Sequence, residues 1–121
     1  MNTRQAGQAG EEAAVRHLEA LGWRVLARNW RGAGAELDIV ALDGPTLAFV
    51  EVKARSGRSF GRPEEAVDRV KQGRLARAAL AFMRRERHEG RAARFDVAAV
   101  EGGEVRLIRG ANESDVFGGR H

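Results

Sequence analysis

Two carboxylates and a lysine, Asp38, Glu51 and Lys53, lie on the strands of a predicted β-hairpin at a spacing suited to metal-dependent chemistry. Segments 36–42 and 46–53 are β-prone and are separated by Asp-Gly-Pro, which predicts an antiparallel pair. With the turn centred between residues 44 and 45, Asp38 faces Glu51, and the opposed β-carbons lie about 4.5–5.5 Å apart. At ~5 Å and an effective dielectric of about 20, the two charges repel by on the order of 3 kcal/mol. A cation is therefore expected beside them.

The same register places Lys53 on the face of the two carboxylates. It pairs Leu42 with Leu47, Val40 with Phe49 and Glu36 with Lys53. A bulge in the turn would spoil the pairing of Asp38 with Glu51 but would leave Glu51 and Lys53 together.

The choice of lysine at position 53 is informative, because only two of the 21 basic residues are lysines, Lys53 and Lys71. Arginine supplies positive charge elsewhere, so a lysine indicates a need for a compact ammonium with an adjustable pKa. The alternative is a surface strand with cross-strand ion pairs, of which Glu36 with Lys53 would be one. That alternative explains neither the opposed carboxylates nor the lysine.

Composition sets wider limits. A chain of 121 residues with 43% hydrophobic residues predicts one domain, 1–121, with a flexible tail at 110–121. The net charge of +4 favours an acidic partner, with nucleic acid as the first candidate. The absence of cysteine excludes disulfides and thiolate metal sites. No leader-like or membrane-spanning apolar stretch is present, which predicts a cytoplasmic protein without membrane contact.

Hydrophobic periodicity predicts the elements that must position these residues. Trp23, Val25 and Ala27 should share one side of the first strand, with Arg24, Leu26 and Arg28 on the other. The predicted order is α-β-β-β-α-β-β, an α/β domain with a central mixed sheet flanked by helices. Its elements are a helix at 8–21, strands at 23–30, 36–42 and 46–53, a long helix starting at Pro63, and a strand pair at 95–100 and 104–109.

Several motifs together resemble the YraN-like family of uncharacterised bacterial proteins, which are predicted nucleases. One departure is Ala35, where the family usually has glycine; it should alter a turn rather than the chemistry. The motifs are G-x-x-G-E-x-x-A at 7–14, R-N-x-R at 28–31, E-L-D-I-V at 36–40, F-V-E-V-K-x-R at 49–55, F-G-x-P at 60–63, Lys71, and R-F-D-V at 94–97.

The resemblance implies a restriction-endonuclease-like core of the PD-(D/E)xK superfamily, similar to archaeal Holliday junction resolvases. In such nucleases Mg²⁺ or Mn²⁺ is held by residues at the positions of Asp38, Glu51 and the backbone carbonyl of Val52. Lys53 would orient or deprotonate the attacking water. Glu11 matches a further acidic metal and catalytic position of the resolvase-like branch. The alternative for Glu11 is a first-turn acid favoured by the helix dipole.

Nucleic-acid contacts are expected after the hairpin. Arg55, Arg58 and Arg62 lie in a Gly/Ser-rich segment from which they could bind phosphates flanking the cut. Lys71 and Gln72 match helix positions that lie near the phosphate in related nucleases. Solvated loop and helix surface is the alternative for these residues. Trp23 should be a core residue, whereas Trp30 could pack or stack on a base.

The sequence thus predicts a magnesium-dependent endodeoxyribonuclease that hydrolyses phosphodiester bonds in DNA, with branched or repair intermediates as candidate substrates. The alternative is a non-catalytic nucleic-acid-binding module that retains the nuclease fold. A homodimer would suit a resolvase-like enzyme, since such enzymes use two sites to cut two strands.

Overall fold

The computed structural model describes residues 3–55 and 69–110 as two helices and one five-stranded mixed sheet. The sheet order is β1-β2-β3-β4-β5, with β3 and β4 parallel and the other neighbours antiparallel. The predicted element order and α/β class are confirmed. The elements are α1 (Thr3–Ala20), β1 (Arg24–Gly32), β2 (Ala35–Asp43), β3 (Thr46–Arg55), α2 (Arg69–Arg85), β4 (Ala93–Glu101) and β5 (Glu104–Ile108).

The two helices cover the two faces of the sheet, and each face has its own apolar core. On the α1 face, Ala14 and Leu18 pack against Trp23, Ile39 and Val50. On the α2 face, the core consists of Leu37, Val40, Leu47, Phe49, Leu75, Ala78, Ala79, Phe82, Met83 and Phe95. The hairpin β2–β3 contributes to both cores, because alternate side chains of a strand point to opposite faces. This burial fixes the position of the strands that carry the predicted site.

Helix α1 approaches β3 unusually closely at Gly10. A β-carbon built on Gly10 would lie 2.6 Å from the β-carbon of Ala54, so only glycine fits at this crossing. The helix begins at Thr3, well before the predicted start at residue 8. Glu11 therefore lies in the middle of α1, and its interpretation as a first-turn acid is wrong.

Strand β1 is more irregular than its sequence alternation indicates. Its register with β2 shifts between Val25 and Ala27, which marks a β-bulge. As a result Val25 packs on the α1 face, whereas Ala27 packs with Trp30 on the α2 face. The prediction that Ala27 shares a side with Trp23 and Val25 is wrong for this reason. Trp23 is a buried core residue, as predicted.

The predicted start of the second helix at Pro63 lies outside the described residues, as does the predicted tail except for Gly110. The Gly110 amide donates a hydrogen bond to the Asp96 carboxylate at 2.8 Å. Within the described parts of the chain, neither helix is long and apolar enough to cross a bilayer.

Candidate functional site

The β2–β3 hairpin has the predicted register, but the paired region is shorter than predicted. Val40 pairs with Phe49 and Leu42 with Leu47, and the last pair away from the turn is Ile39 with Val50. The expected cross-strand pairs of Asp38 with Glu51 and of Glu36 with Lys53 fall beyond that pair. Neither pair forms in the sheet, so this part of the prediction is wrong.

The Asp38 side chain takes the place of a strand partner at this point. Its Oδ2 atom accepts a hydrogen bond from the backbone N–H of Val52 at 2.8 Å. The N–H and C=O groups of one strand residue point to the same side, so the Val52 carbonyl also faces the β2 side of β3. The structure thus brings the Asp38 carboxylate and the Val52 backbone together where the two strands separate.

Asp38 lies in an environment that disfavours its charged form. Burial, followed by the negative charge of Glu51, raises the pKa of Asp38 to about 7, although the hydrogen bond from Val52 acts in the opposite direction. The charges of Glu11 and Glu36 raise this pKa further. Four carboxylates from α1, β2 and β3 therefore interact electrostatically, and Asp38 is at their centre.

Glu51 and Lys53 lie side by side on β3, as predicted. The Nζ atom of Lys53 is 3.3 Å from Oε2 of Glu51, and the two side chains are only 20% and 11% exposed, respectively. Alternation along a strand places both on the same face. The ammonium therefore offsets part of the negative charge but leaves the Asp38 carboxyl with a raised pKa.

A small cavity of about 10 Å³ lies between Asp38, Glu51 and the neighbouring core residues. Asp38 and Glu51 line it together with apolar residues, among them Leu75 of α2. Its volume is at the lower limit for one water molecule. The carboxylates thus have an apolar floor on the α2 side.

Glu11 reaches the site through a polar network with β1. Its Oε2 atom accepts a hydrogen bond from the Asn29 side-chain amide at 2.7 Å, and its Oε1 atom accepts one from Arg28 at 3.2 Å. The same Asn29 amide lies 3.2 Å from Oε2 of Glu36, which also pairs with Arg31 at 3.1 Å. Sequence reasoning assigned no function to Arg28 or Asn29. The available signal was the R-N-x-R motif, in which asparagine is a residue that tolerates a left-handed backbone.

The structure describes only some of the other residues predicted to contact nucleic acid. Gln72 is half-buried in α2. The backbones of Arg55 and Lys71 lie at the end of β3 and the start of α2, but their side chains, like the whole of Arg58 and Arg62, lie outside the described residues. Trp30 packs edge-to-face on Phe82, with a centroid distance of 5.4 Å.

The donor set suits a hard divalent cation. In the parts of the chain that the structure describes, no three His, Cys, Asp or Glu side chains gather as a metal site. Mg²⁺ does not need such a group, because it commonly takes one or two protein carboxylates and completes its shell with water and phosphate oxygens. Asp38, Glu51 and the Val52 carbonyl are oxygen donors of this kind. The pKa of Asp38 is raised by burial and then by the charge of Glu51, and a cation would offset that charge.

A second charged cluster lies outside the predicted site. Asp96 of β4 is 1% exposed, and its two carboxylate oxygens lie 2.8 and 3.1 Å from Nε of Arg94. Arg94 also donates a hydrogen bond to Asp43, next to the β2–β3 turn, at 2.9 Å. The Arg94 and Arg109 guanidinium groups lie over the Trp23 ring, at 5.2 and 5.4 Å from its centroid. This cluster ties the turn, β4 and the end of β5 together.

The fold and site define an α/β protein with a mixed sheet and an acidic cluster where the central hairpin opens. Residues 10–100 match the model of Uncharacterised protein family UPF0102, and the chain belongs to this family. The resemblance to the YraN-like proteins is thereby confirmed.

Relatives of the same family cover nearly the whole chain. A UPF0102 protein of Symbiobacterium thermophilum is 47% identical over 90% of this chain and 97% of its own length. Those of Bordetella avium and Desulfosudis oleivorans are 45% and 43% identical, over 92% and 96% of this chain and over 77% and 97% of their own lengths.

Proposed function

We propose that this protein is a metal-dependent endonuclease with a restriction-endonuclease-like core, and that it hydrolyses phosphodiester bonds in DNA. The observation that carries the proposal is the electrostatic state of Asp38. Its pKa is raised to about 7 because the carboxyl is buried beside Glu51 and close to two further acids. Perturbed carboxyls of this kind concentrate at functional sites, and a bound cation would offset the negative charge of the cluster.

Asp38, Glu51 and the Val52 carbonyl would hold Mg²⁺ or Mn²⁺, with Glu11 as a further acidic group. When bound, the metal would polarise the scissile phosphate and lower the pKa of a bound water. The hydrogen bond from Val52 orients the Asp38 carboxylate toward β3.

Lys53 is the second residue with a chemical role in this proposal. Its ammonium group lies 3.3 Å from Glu51, which orients it toward the acidic cluster. There it can donate a hydrogen bond to the attacking water and stabilise negative charge on the phosphate. Arginine would carry the same charge but could not take part in proton transfer, because its pKa is too high. The use of lysine in a chain rich in arginine supports this role.

Branched, single-stranded and duplex DNA of matched sequence, incubated with purified protein and Mg²⁺ or Mn²⁺, test the proposal. We expect cleavage of at least one substrate, and a loss of about 100-fold or more in Asp38→Asn and Lys53→Arg. Glu89→Gln is a matched control, because Glu89 is an exposed acid beyond the end of α2. Full activity in Asp38→Asn and Lys53→Arg would contradict the proposal.

The non-catalytic binding module predicts a different outcome of the same experiment. DNA would bind in a salt-dependent manner without being cut, and neither removal of Mg²⁺ nor Asp38→Asn would change the affinity. The net charge of +4 is the feature that supports this alternative. A location in the cytoplasm, where DNA is accessible, suits both proposals.

A further inference from the structure

Asn29 has a backbone conformation that is unusual within a β-strand. Its φ angle is 51°, in the left-handed region that side-chain-bearing residues rarely adopt. Among the described residues, Ala33 and Arg87 share this conformation, but Ala33 lies in the β1–β2 turn and Arg87 follows the end of α2. Asn29, in contrast, lies within β1. Backbone strain inside a strand is often retained at functional sites.

The position of Asn29 is set by the pairing of β1 with β2. Arg28 pairs with Ile39 and Trp30 with Leu37, so Asn29 is level with Asp38. At this point the side chains of both Arg28 and Asn29 reach Glu11 of α1. Successive residues of a regular strand would point to opposite faces. The left-handed conformation at Asn29 thus accompanies a local change of side-chain direction beside Asp38.

The Asn29 amide joins two carboxylates from different elements. Its Nδ2 atom lies 2.7 Å from Oε2 of Glu11 and 3.2 Å from Oε2 of Glu36. An amide donates hydrogen bonds without carrying charge. It therefore holds the two carboxylates in place but, unlike an arginine or lysine, does not offset their charge. Glu11, only 13% exposed, is held further by Arg28 on its other oxygen.

We propose that Asn29 is a positioning residue of the site: its side-chain amide holds Glu11 and Glu36 beside Asp38, and so raises the affinity of the site for a divalent cation. This inference rests on the proposed function. Glu11 and Glu36 both act electrostatically on Asp38, which supports their proximity to it. Groups that orient metal ligands through hydrogen bonds typically change metal affinity by about 10–100-fold when they are removed.

The test measures binding of MnCl₂ through the shift that it causes in the melting temperature, without DNA. Asn29→Gly is the informative variant, because glycine adopts the left-handed conformation without strain and removes only the side chain. We expect about a 10-fold or greater increase in the MnCl₂ concentration that gives half of the maximal shift. Arg24→Gln, an exposed position of the same strand, is the control and should leave this concentration unchanged.

Glu11→Gln provides a second, independent measurement if Asn29→Gly does not fold. It removes the charge of the first partner of Asn29 and should raise the half-saturating MnCl₂ concentration by a similar factor. If Asn29 acts through Glu11, the double variant should be little worse than Glu11→Gln alone, because interacting residues are not additive. A purely structural role of Asn29 would lower the melting temperature but leave the half-saturating concentration unchanged.

The outcomes separate this inference from the proposed function. If the wild type shows a shift that Asp38→Asn abolishes, and Asn29→Gly or Glu11→Gln binds Mn²⁺ like the wild type, the positioning role is overturned and the metal site stands. If the wild type shows no shift and no cleavage with Mn²⁺, both are overturned.

Discussion

Asp38 and Asp96 lie in one sheet, two strands apart, and their carboxylates have very different neighbours. Asp96 is almost fully buried and accepts hydrogen bonds from the Arg94 guanidinium and the Gly110 amide. Asp38 accepts a hydrogen bond from the Val52 amide, but burial and the charge of Glu51 raise its pKa to about 7. The more deeply buried aspartate thus has a cation as its partner, whereas the less buried one lies among other acids.

The Asp96–Arg94 cluster stabilises the fold, whereas the Asp38 cluster lowers its stability. Asp96 and Arg94 form an ion pair, and Arg94 also pairs with Asp43 at the turn. Burial of the Asp38 carboxylate, together with its repulsion by Glu51, opposes folding above the pH at which its proton is lost. Under the proposed function, the cluster would be kept at the expense of stability, as at many enzyme sites. The predictions below use asparagine and other small changes to test this contrast.

The largest effect is expected from Asp96→Asn. The change leaves the Arg94 charge without its main partner, and breaking a buried pair in this way typically costs about 3–5 kcal/mol. Urea unfolding at pH 8 measures it. Asp38→Asn, which keeps an oxygen to accept the Val52 hydrogen bond, should instead increase the free energy of unfolding. The contrast fails if both variants lose stability equally.

The pH dependence of stability should reveal Asp38 directly. Its pKa is about 7 in the folded protein and about 3.9 in an unfolded chain, so the folded state binds more protons between these values. The corresponding stability is fully present below about pH 4 and is lost as the pH rises through 7. The upper limit of the loss is about 4 kcal/mol. Unfolding of wild type and Asp38→Asn across this range measures the difference, and parallel profiles would contradict the assignment.

A divalent cation should remove much of this penalty. Binding to the folded state alone stabilises a protein by about 2.7 kcal/mol at a ligand concentration of 100 times Kd. We expect MnCl₂ to raise the melting temperature of wild type and Glu89→Gln at pH 7.5 but not that of Asp38→Asn. An equal rise in all three proteins would indicate binding elsewhere.

The smallest effect is expected at the edge of the acidic cluster. Arg31 pairs with Glu36 at 3.1 Å, but its side chain is 82% exposed. Exposed ion pairs contribute about 0–1 kcal/mol, so Arg31→Gln should change the free energy of unfolding by no more than that. A loss comparable to that of Asp96→Asn would show that exposure does not distinguish the two clusters.

The element order and most of the hairpin register were predictable because they depend on local signals. Alternating apolar residues and the Asp-Gly-Pro turn determine the pairs from Ile39–Val50 to Asp43–Thr46. The point at which pairing ends was not predictable, because it depends on the Asp38 side chain accepting the Val52 amide hydrogen. Strand periodicity contains no information about such a competitor.

The site was predictable in part for the same reason. Glu51 and Lys53 are two residues apart on one strand, so their proximity follows from strand geometry alone. The contacts of Asn29 with Glu11 and Glu36 join α1, β1 and β2. They require the bulge and the left-handed residue in β1, neither of which an alternating pattern reveals.

Gly10 sets how closely α1 can pack against β3. Because a β-carbon there would meet Ala54 at 2.6 Å, even alanine would have to push the helix and the strand apart. Glu11 is the next residue, so the same displacement would carry its carboxylate away from Asn29. The absence of a side chain at Gly10 thus lets the Glu11 carboxylate reach Asn29.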